Sequence, residues 1–80
     1  MLYSYVIKSI HHDYLYKGHC EDLAKRLNEH NSGNTKSIKP YLPFKVIYFE
    51  TFDSRGAAME REKYFKSAAG RKFLKRILVP

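Results

Sequence analysis

Residues Leu2–Lys8 (LYSYVIK) and Tyr14–His19 (YLYKGH) concentrate aromatic and β-branched side chains on either side of a polar stretch, Ser9–Asp13. The pattern predicts two strands joined as a hairpin. With Ile10–Asp13 as the loop, Ser9 faces Tyr14, and the two-residue repeat sets Ile7 opposite Tyr16 and Tyr5 opposite Gly18. Tyr5 and Tyr16 then share one face of the sheet, and Lys17 takes the other. From Glu21 the period lengthens. Leu23, Leu27 and His30 recur at helical spacing behind an acidic opening, and Gly33 stands where a helix would stop. Residues 34–43, with Pro40, Pro43 and many polar side chains, predict a loop whose Lys36 and Lys39 suit a flap against a phosphate backbone. Phe44–Phe52 predicts a third strand, and Asp53-Ser54 an N-cap for a helix over Arg55–Ala69. Gly70 then predicts a break before a short basic helix over Arg71–Leu78. The order ββαβαα implies an α+β fold: one small, three-stranded, largely antiparallel sheet flanked by helices.

Both longer helices carry polar groups on their apolar stripes. In the first, positions i, i+3, i+4 and i+7 are Leu23, Arg26, Leu27 and His30, so Arg26 and His30 border the inward face while Lys25 and Glu29 lie opposite. An arginine that snorkels and a histidine stabilised at a helix C-terminus would give the same pattern. In the second, Glu62 interrupts a stripe of Ala58, Phe65 and Ala69. A carboxylate turned toward a sheet calls for a cation: a metal, or Lys66 one turn on. Glu60, Arg61 and Lys63 look like a solvated face. Tyr3, Tyr5, Tyr14 and Tyr16 crowd the hairpin, where tyrosines ordinarily pack. Gly18 opposite Tyr5 would leave room for a ligand backbone to approach the sheet.

Eighty residues make one small domain, 1–80, and favour a surface cleft over an enclosed cavity. A hydrophobic fraction of 44% excludes intrinsic disorder, and the apolar runs are too short to span a bilayer. No signal-peptide pattern opens the chain, and Cys20 is the only cysteine, so an intramolecular disulfide or a thiolate zinc cluster is excluded and a cytoplasmic location is expected. Fifteen Lys and Arg against eight Asp and Glu leave a net charge of +7. Such a potential attracts polyanions, and nucleic acid is the leading partner class. His11, His12 and Asp13 are poorly spaced for a tetrahedral metal site.

Taken in order, these residues resemble the GIY-YIG nuclease superfamily, in particular its small single-domain bacterial members. Tyr3-Ser4-Tyr5 stands for the first motif and Tyr16-Lys17-Gly18 for the second. Asp22-Leu23, Arg26-Leu27 and His30-Asn31-Ser32-Gly33 resemble the arginine helix and its following turn, and Ala57–Lys63 with Lys66 resembles the helix that carries the metal-binding glutamate. Tyr3 replaces a motif glycine, Lys17 replaces an isoleucine, and no asparagine follows the glutamate.

The resemblance implies hydrolysis of DNA phosphodiester bonds with magnesium, or manganese, held by Glu62. Tyr5 would activate or orient the attacking water with support from Tyr16. Arg26 would hold the scissile phosphate, and His30 would assist water activation or contact phosphate. His19, Lys17, Lys36, Lys39 and Lys66 are candidate nucleic-acid contacts. Duplex or branched DNA is the expected substrate, with low sequence specificity because no second domain reads bases, and DNA repair or processing the expected setting. RNA is an alternative substrate, a catalytically weak nucleic-acid-binding module an alternative function, and a homo-oligomer or recruiting protein a further expectation.

Overall fold

The computed structural model describes residues 1–78, two short of the expected span. The chain runs β1 (Leu2–Ser9), β2 (Leu15–Cys20), α1 (Leu23–Asn31), a 3-10 helix (Lys36–Tyr41), β3 (Phe44–Phe52), α2 (Arg55–Lys66) and α3 (Ala68–Leu78). The strands form one antiparallel sheet in the order β2-β1-β3, so the expected α+β architecture is the observed one. The hairpin register also agrees, with Tyr5 opposite Gly18 and Ile7 opposite Tyr16. Against β3 the register shifts between Val6 and Ile7, and Ile47 is left without an opposite number.

Because β1 is central, its alternating side chains feed two cores. Tyr5 and Ile7 pack with Cys20, Ile38 and Phe44 beneath α1 and the 3-10 helix, and Val6 packs with Phe65 and Leu74 beneath α2 and α3. A buried hydroxyl and a side-chain amide fasten the helices to the sheet. Ser4 Oγ donates to the Ala58 carbonyl at 2.5 Å, docking α2. Asn31 exchanges two hydrogen bonds with the Phe44 backbone, at 2.8 and 3.0 Å, docking the end of α1.

The element boundaries correct several expectations. The helix over Glu21–Gly33 is shorter, and its acidic opening is a cap: Asp22 accepts from the Lys25 amide, while Gly33 does terminate the element, at φ 85°. The loop over 34–43 contains the 3-10 helix, because Ile38 is fully buried in the first core and draws the segment down. Lys36 and Lys39 are exposed on it, and the Lys39 chain runs past Gly33, so this lysine-bearing stretch is an anchored turn in place of a free flap. The second helix ends at Lys66, and the break falls at Ser67, not Gly70. Ser67 leaves helical geometry, and its hydroxyl accepts from the Gly70 amide, opening α3. Gly70 lies inside α3, where a Cβ would overlap the Tyr64 carbonyl, so its lack of a side chain lets the two helices meet closely. Ala69 falls beyond the end of α2 and is exposed.

Candidate functional site

Apart from Lys36 and Lys39, the candidate residues lie on or beside β2, one of the sheet's two edge strands. Side chains of β2 alternate between faces, so Tyr16 and Gly18 turn toward α1 while Lys17 and His19 turn toward α2 and α3. Two polar clusters result, one on each side of the sheet.

On the α1 side, Tyr5 is 1% exposed and its hydroxyl lies 2.8 Å from His30 Nε2. His30, fully buried at the end of α1, is held from its other ring nitrogen by Thr35 Oγ1 at 2.8 Å. The Tyr16 ring meets His30 edge-on, with centroids 5.0 Å apart, and lies 6.5 Å from the ring of Tyr5. Burial pushes the Tyr5 phenol well above its ordinary range, only partly offset by the nearby Arg26 guanidinium. Burial, helped by the charge of Arg26, lowers the His30 imidazole, which is therefore neutral at neutral pH. Arg26, Tyr16 and Thr35 are the part-exposed members of this set. The buried ring of His30 contacts Tyr5 through Nε2.

Two expectations change here. The space opposite Tyr5 at Gly18 is filled by the tyrosine itself: a Cβ on Gly18 would sit 2.5 Å from the Tyr5 hydroxyl oxygen. The glycine seats Tyr5 across β2 and does not open the sheet to a ligand. Glu29 lies beside Arg26, whose Nη1 donates to its Oε1 at 3.0 Å, and not on the opposite face. The i, i+3 spacing of the two residues was the signal for that pairing. Thr35 had no comparable signal, since its approach to His30 depends on the path of the turn after Gly33.

On the α2 side, Glu62 reaches the sheet edge, and both of its oxygens are engaged. His19 Nδ1 lies 2.6 Å from Oε1, and Lys66 Nζ donates to Oε2 at 2.7 Å. Burial alone would raise this carboxyl, but the bonds from Lys66 and His19 outweigh it and hold the group below the usual carboxylate range. Lys17 extends the cluster. Burial and the charges of Arg71 and Lys66 press its ammonium below its ordinary value. Arg61, expected on a solvated face, is part-buried. It binds Glu50 through two bonds, at 2.8 and 3.1 Å, and stacks over Tyr64 and Phe73. The expected solvated pair Glu60 and Lys63 is exposed.

Glu62 is the carboxylate of its cluster, and among the described residues no three His, Cys, Asp or Glu side chains gather into a preformed metal cage. One ionised, part-exposed carboxylate fits a hard cation that keeps most of its waters, as magnesium does, once His19 or Lys66 releases an oxygen. Lys36 and Lys39 lie in the 3-10 helix that follows Thr35, and among the described residues neither takes part in the side-chain bonds of either cluster. No described helix is long and apolar enough to cross a membrane.

Fold and site together describe a small sheet whose edge strand is flanked by tyrosine, histidine and arginine on one side and a glutamate on the other. The sequence pattern of the GIY-YIG catalytic domain matches residues 1–75, and the chain belongs to this nuclease family. It is 43% identical over 65 residues to a UPF0213 protein of Streptococcus pyogenes serotype M3, covering 80% of this chain and 70% of the relative. A UPF0213 protein of serotype M5 is 47% identical over 53 residues, covering 65% and 58%. No solved structure matches. Membership places the chain among hydrolases that act on DNA and generally use divalent metals.

Proposed function

We propose that the chain is a divalent-metal-dependent endonuclease that hydrolyses DNA phosphodiester bonds with low sequence specificity, acting in DNA repair or processing. The observation that carries this reading is the Tyr5–His30–Thr35 chain, in which a phenol meets the ring nitrogen of a neutral imidazole at 2.8 Å. A phenol whose ionisation is opposed by burial is no standing base and needs a proton acceptor. In the tautomer whose Nδ1–H donates to Thr35, Nε2 accepts from Tyr5, so His30 takes the phenolic proton as Tyr5 takes one from water. The oxygen of that water then attacks phosphorus.

Tyr16 and Arg26 would meet the phosphate first. Arg26 can turn its planar fork from Glu29 to the non-bridging oxygens and offset the charge that develops there. A divalent cation held by Glu62 would supply further positive charge to the phosphate and the leaving oxygen. Lys17, His19 and Lys66 would contact the flanking backbone on the α2 side. Such contacts carry no sequence information, which is the basis for low specificity.

A second reading, a nucleic-acid-binding module of weak activity, is favoured by one observation. The two formally charged residues of the catalytic set already have partners: Glu62 has His19 and Lys66, and Arg26 has Glu29. Cleavage of supercoiled plasmid and labelled branched DNA with magnesium or manganese separates the two, using wild type, Glu62→Gln and Tyr5→Phe. The nuclease reading expects metal-dependent nicking by wild type and a loss of about a hundredfold or more in each variant, with DNA binding retained. Equal binding and no cutting by all three proteins would establish the binding module instead.

A further inference from the structure

Beyond the Glu62 cluster, the α3 side of the sheet carries a groove of about 520 Å³. Its rim bears Lys8, Lys17, Lys45, Arg71 and Lys75 against one carboxylate, Asp13. Among the described residues, no ion pair involves Lys17, Lys45, Arg71 or Lys75, and Lys8 is occupied only with the backbone carbonyls of Ser9 and His12. Lys8 and Lys45 even stand directly opposite each other in register on neighbouring strands, an arrangement that repels unless an anion lies between them. The floor is aliphatic, formed by Leu15, Ile47, Leu74 and Leu78.

Cations around an apolar floor ask for an occupant that is both anionic and apolar. A duplex offers phosphates alone, since its bases are stacked away, and would leave the floor wet. An unpaired strand offers phosphates together with exposed base faces. The groove also leads to the candidate site, because Lys17 on its rim lies within electrostatic reach of Lys66, which binds Glu62.

We propose that this groove is the track for an unpaired nucleic-acid strand, with phosphates on the rim cations and a base laid on the aliphatic floor, leading toward Glu62. The proposal rests on the reading of the substrate as nucleic acid and narrows it to branched, flapped or single-stranded forms.

The test is fluorescence anisotropy without metal, on the whole chain, using an oligothymidine of about a dozen nucleotides and a duplex of the same length. The proteins are wild type, the double variant Lys45→Gln/Lys75→Gln, and Leu15→Thr as a floor variant, each checked for folding by circular dichroism. The double variant is expected to lose about tenfold in oligothymidine affinity at moderate salt and to show a shallower salt slope, with a smaller loss on duplex. The floor variant is expected to weaken the oligothymidine while leaving its salt slope and duplex binding unchanged.

Unchanged oligothymidine affinity in the double variant, or equal losses on strand and duplex, would overturn the proposal. So would displacement of oligothymidine by polyglutamate as effective as by unlabelled strand, which would point to an acidic protein segment. Cleavage does not enter this measurement, so a chain that cuts nothing but loses strand affinity in these variants keeps the track and loses the nuclease reading.

Discussion

On the α1 side of the sheet, the buried Tyr5 and His30 form a hydrogen-bonded chain without formal charge that ends at the part-exposed Thr35. On the α2 side, Glu62, His19 and Lys66 form an ionic cluster that reaches solvent. The same edge strand supports both, yet burial has selected neutrality on one side and allowed charge on the other. Their vulnerabilities differ accordingly. The buried chain depends on shape, since an unmatched atom or lost partner there has no water to replace it. The ionic cluster depends on charge and is open to salt, to a competing cation or to an incoming phosphate.

The largest break in this comparison should come from Gly18→Ala. One methyl group placed 2.5 Å from the Tyr5 hydroxyl oxygen must move a buried ring or bend β2. Overpacking of this kind costs about 1–3 kcal/mol. Urea unfolding should show that loss, together with loss of the Tyr5–His30 hydrogen bond. An unchanged midpoint would mean that Tyr5 has room to swing, and that the buried side is less rigid than its packing indicates.

That glycine also marks how far the sequence could be read. The pairing of Tyr5 with Gly18 was legible because the polar run Ser9–Asp13 leaves few hairpin registers, and each register sends every side chain to a defined face. Why the glycine is there was not legible, since a bare strand position looks the same whether it admits a ligand or a neighbour's ring. Gly70 misled for a related reason. It reads as a helix breaker, but its role is to let α3 approach the Tyr64 carbonyl, a contact set by tertiary packing. Arg26 and His30 were recognisable on an apolar stripe by helical spacing. Thr35, which holds the other nitrogen of His30, was not, because nothing periodic governs the turn after Gly33. Arg61 looked solvated for want of any local sign that Glu50, eleven positions earlier, would bind it.

A smaller effect, confined to the buried side, should appear in acid. The His30 imidazole is held below its ordinary value by burial, so below about pH 6.5 the unfolded chain takes up a proton that the folded chain resists. Stability is then complete above that value and falls as pH drops through the His30 range. The Glu62 carboxyl, also lowered, adds a loss further down, as pH falls from the ordinary carboxylate range through its own. Thermal unfolding between neutral and mildly acidic pH, compared with His30→Gln, should show the first step in wild type and not in the variant. Coincident profiles would mean that His30 is not the group responsible and that this side does not exclude charge as strongly as argued.

The smallest effect on stability should come from Glu62→Gln. The amide keeps the shape of the carboxylate and one acceptor for Lys66 or His19, and what it removes is an ion pair with a half-exposed lysine and an interaction with a part-exposed histidine. Pairs of this kind contribute about 1 kcal/mol or less, and salt screens them. Wild type and variant should therefore unfold at nearly the same urea concentration, with the remaining gap closing as salt is raised. A loss of several kcal/mol that salt does not touch would give Glu62 the behaviour of a buried structural ion pair, whose partners do not yield their oxygens. A cation or phosphate would then have to displace His19 and Lys66 against the fold itself, and the division into a fixed neutral side and an exchangeable ionic side would fail at its most functional residue.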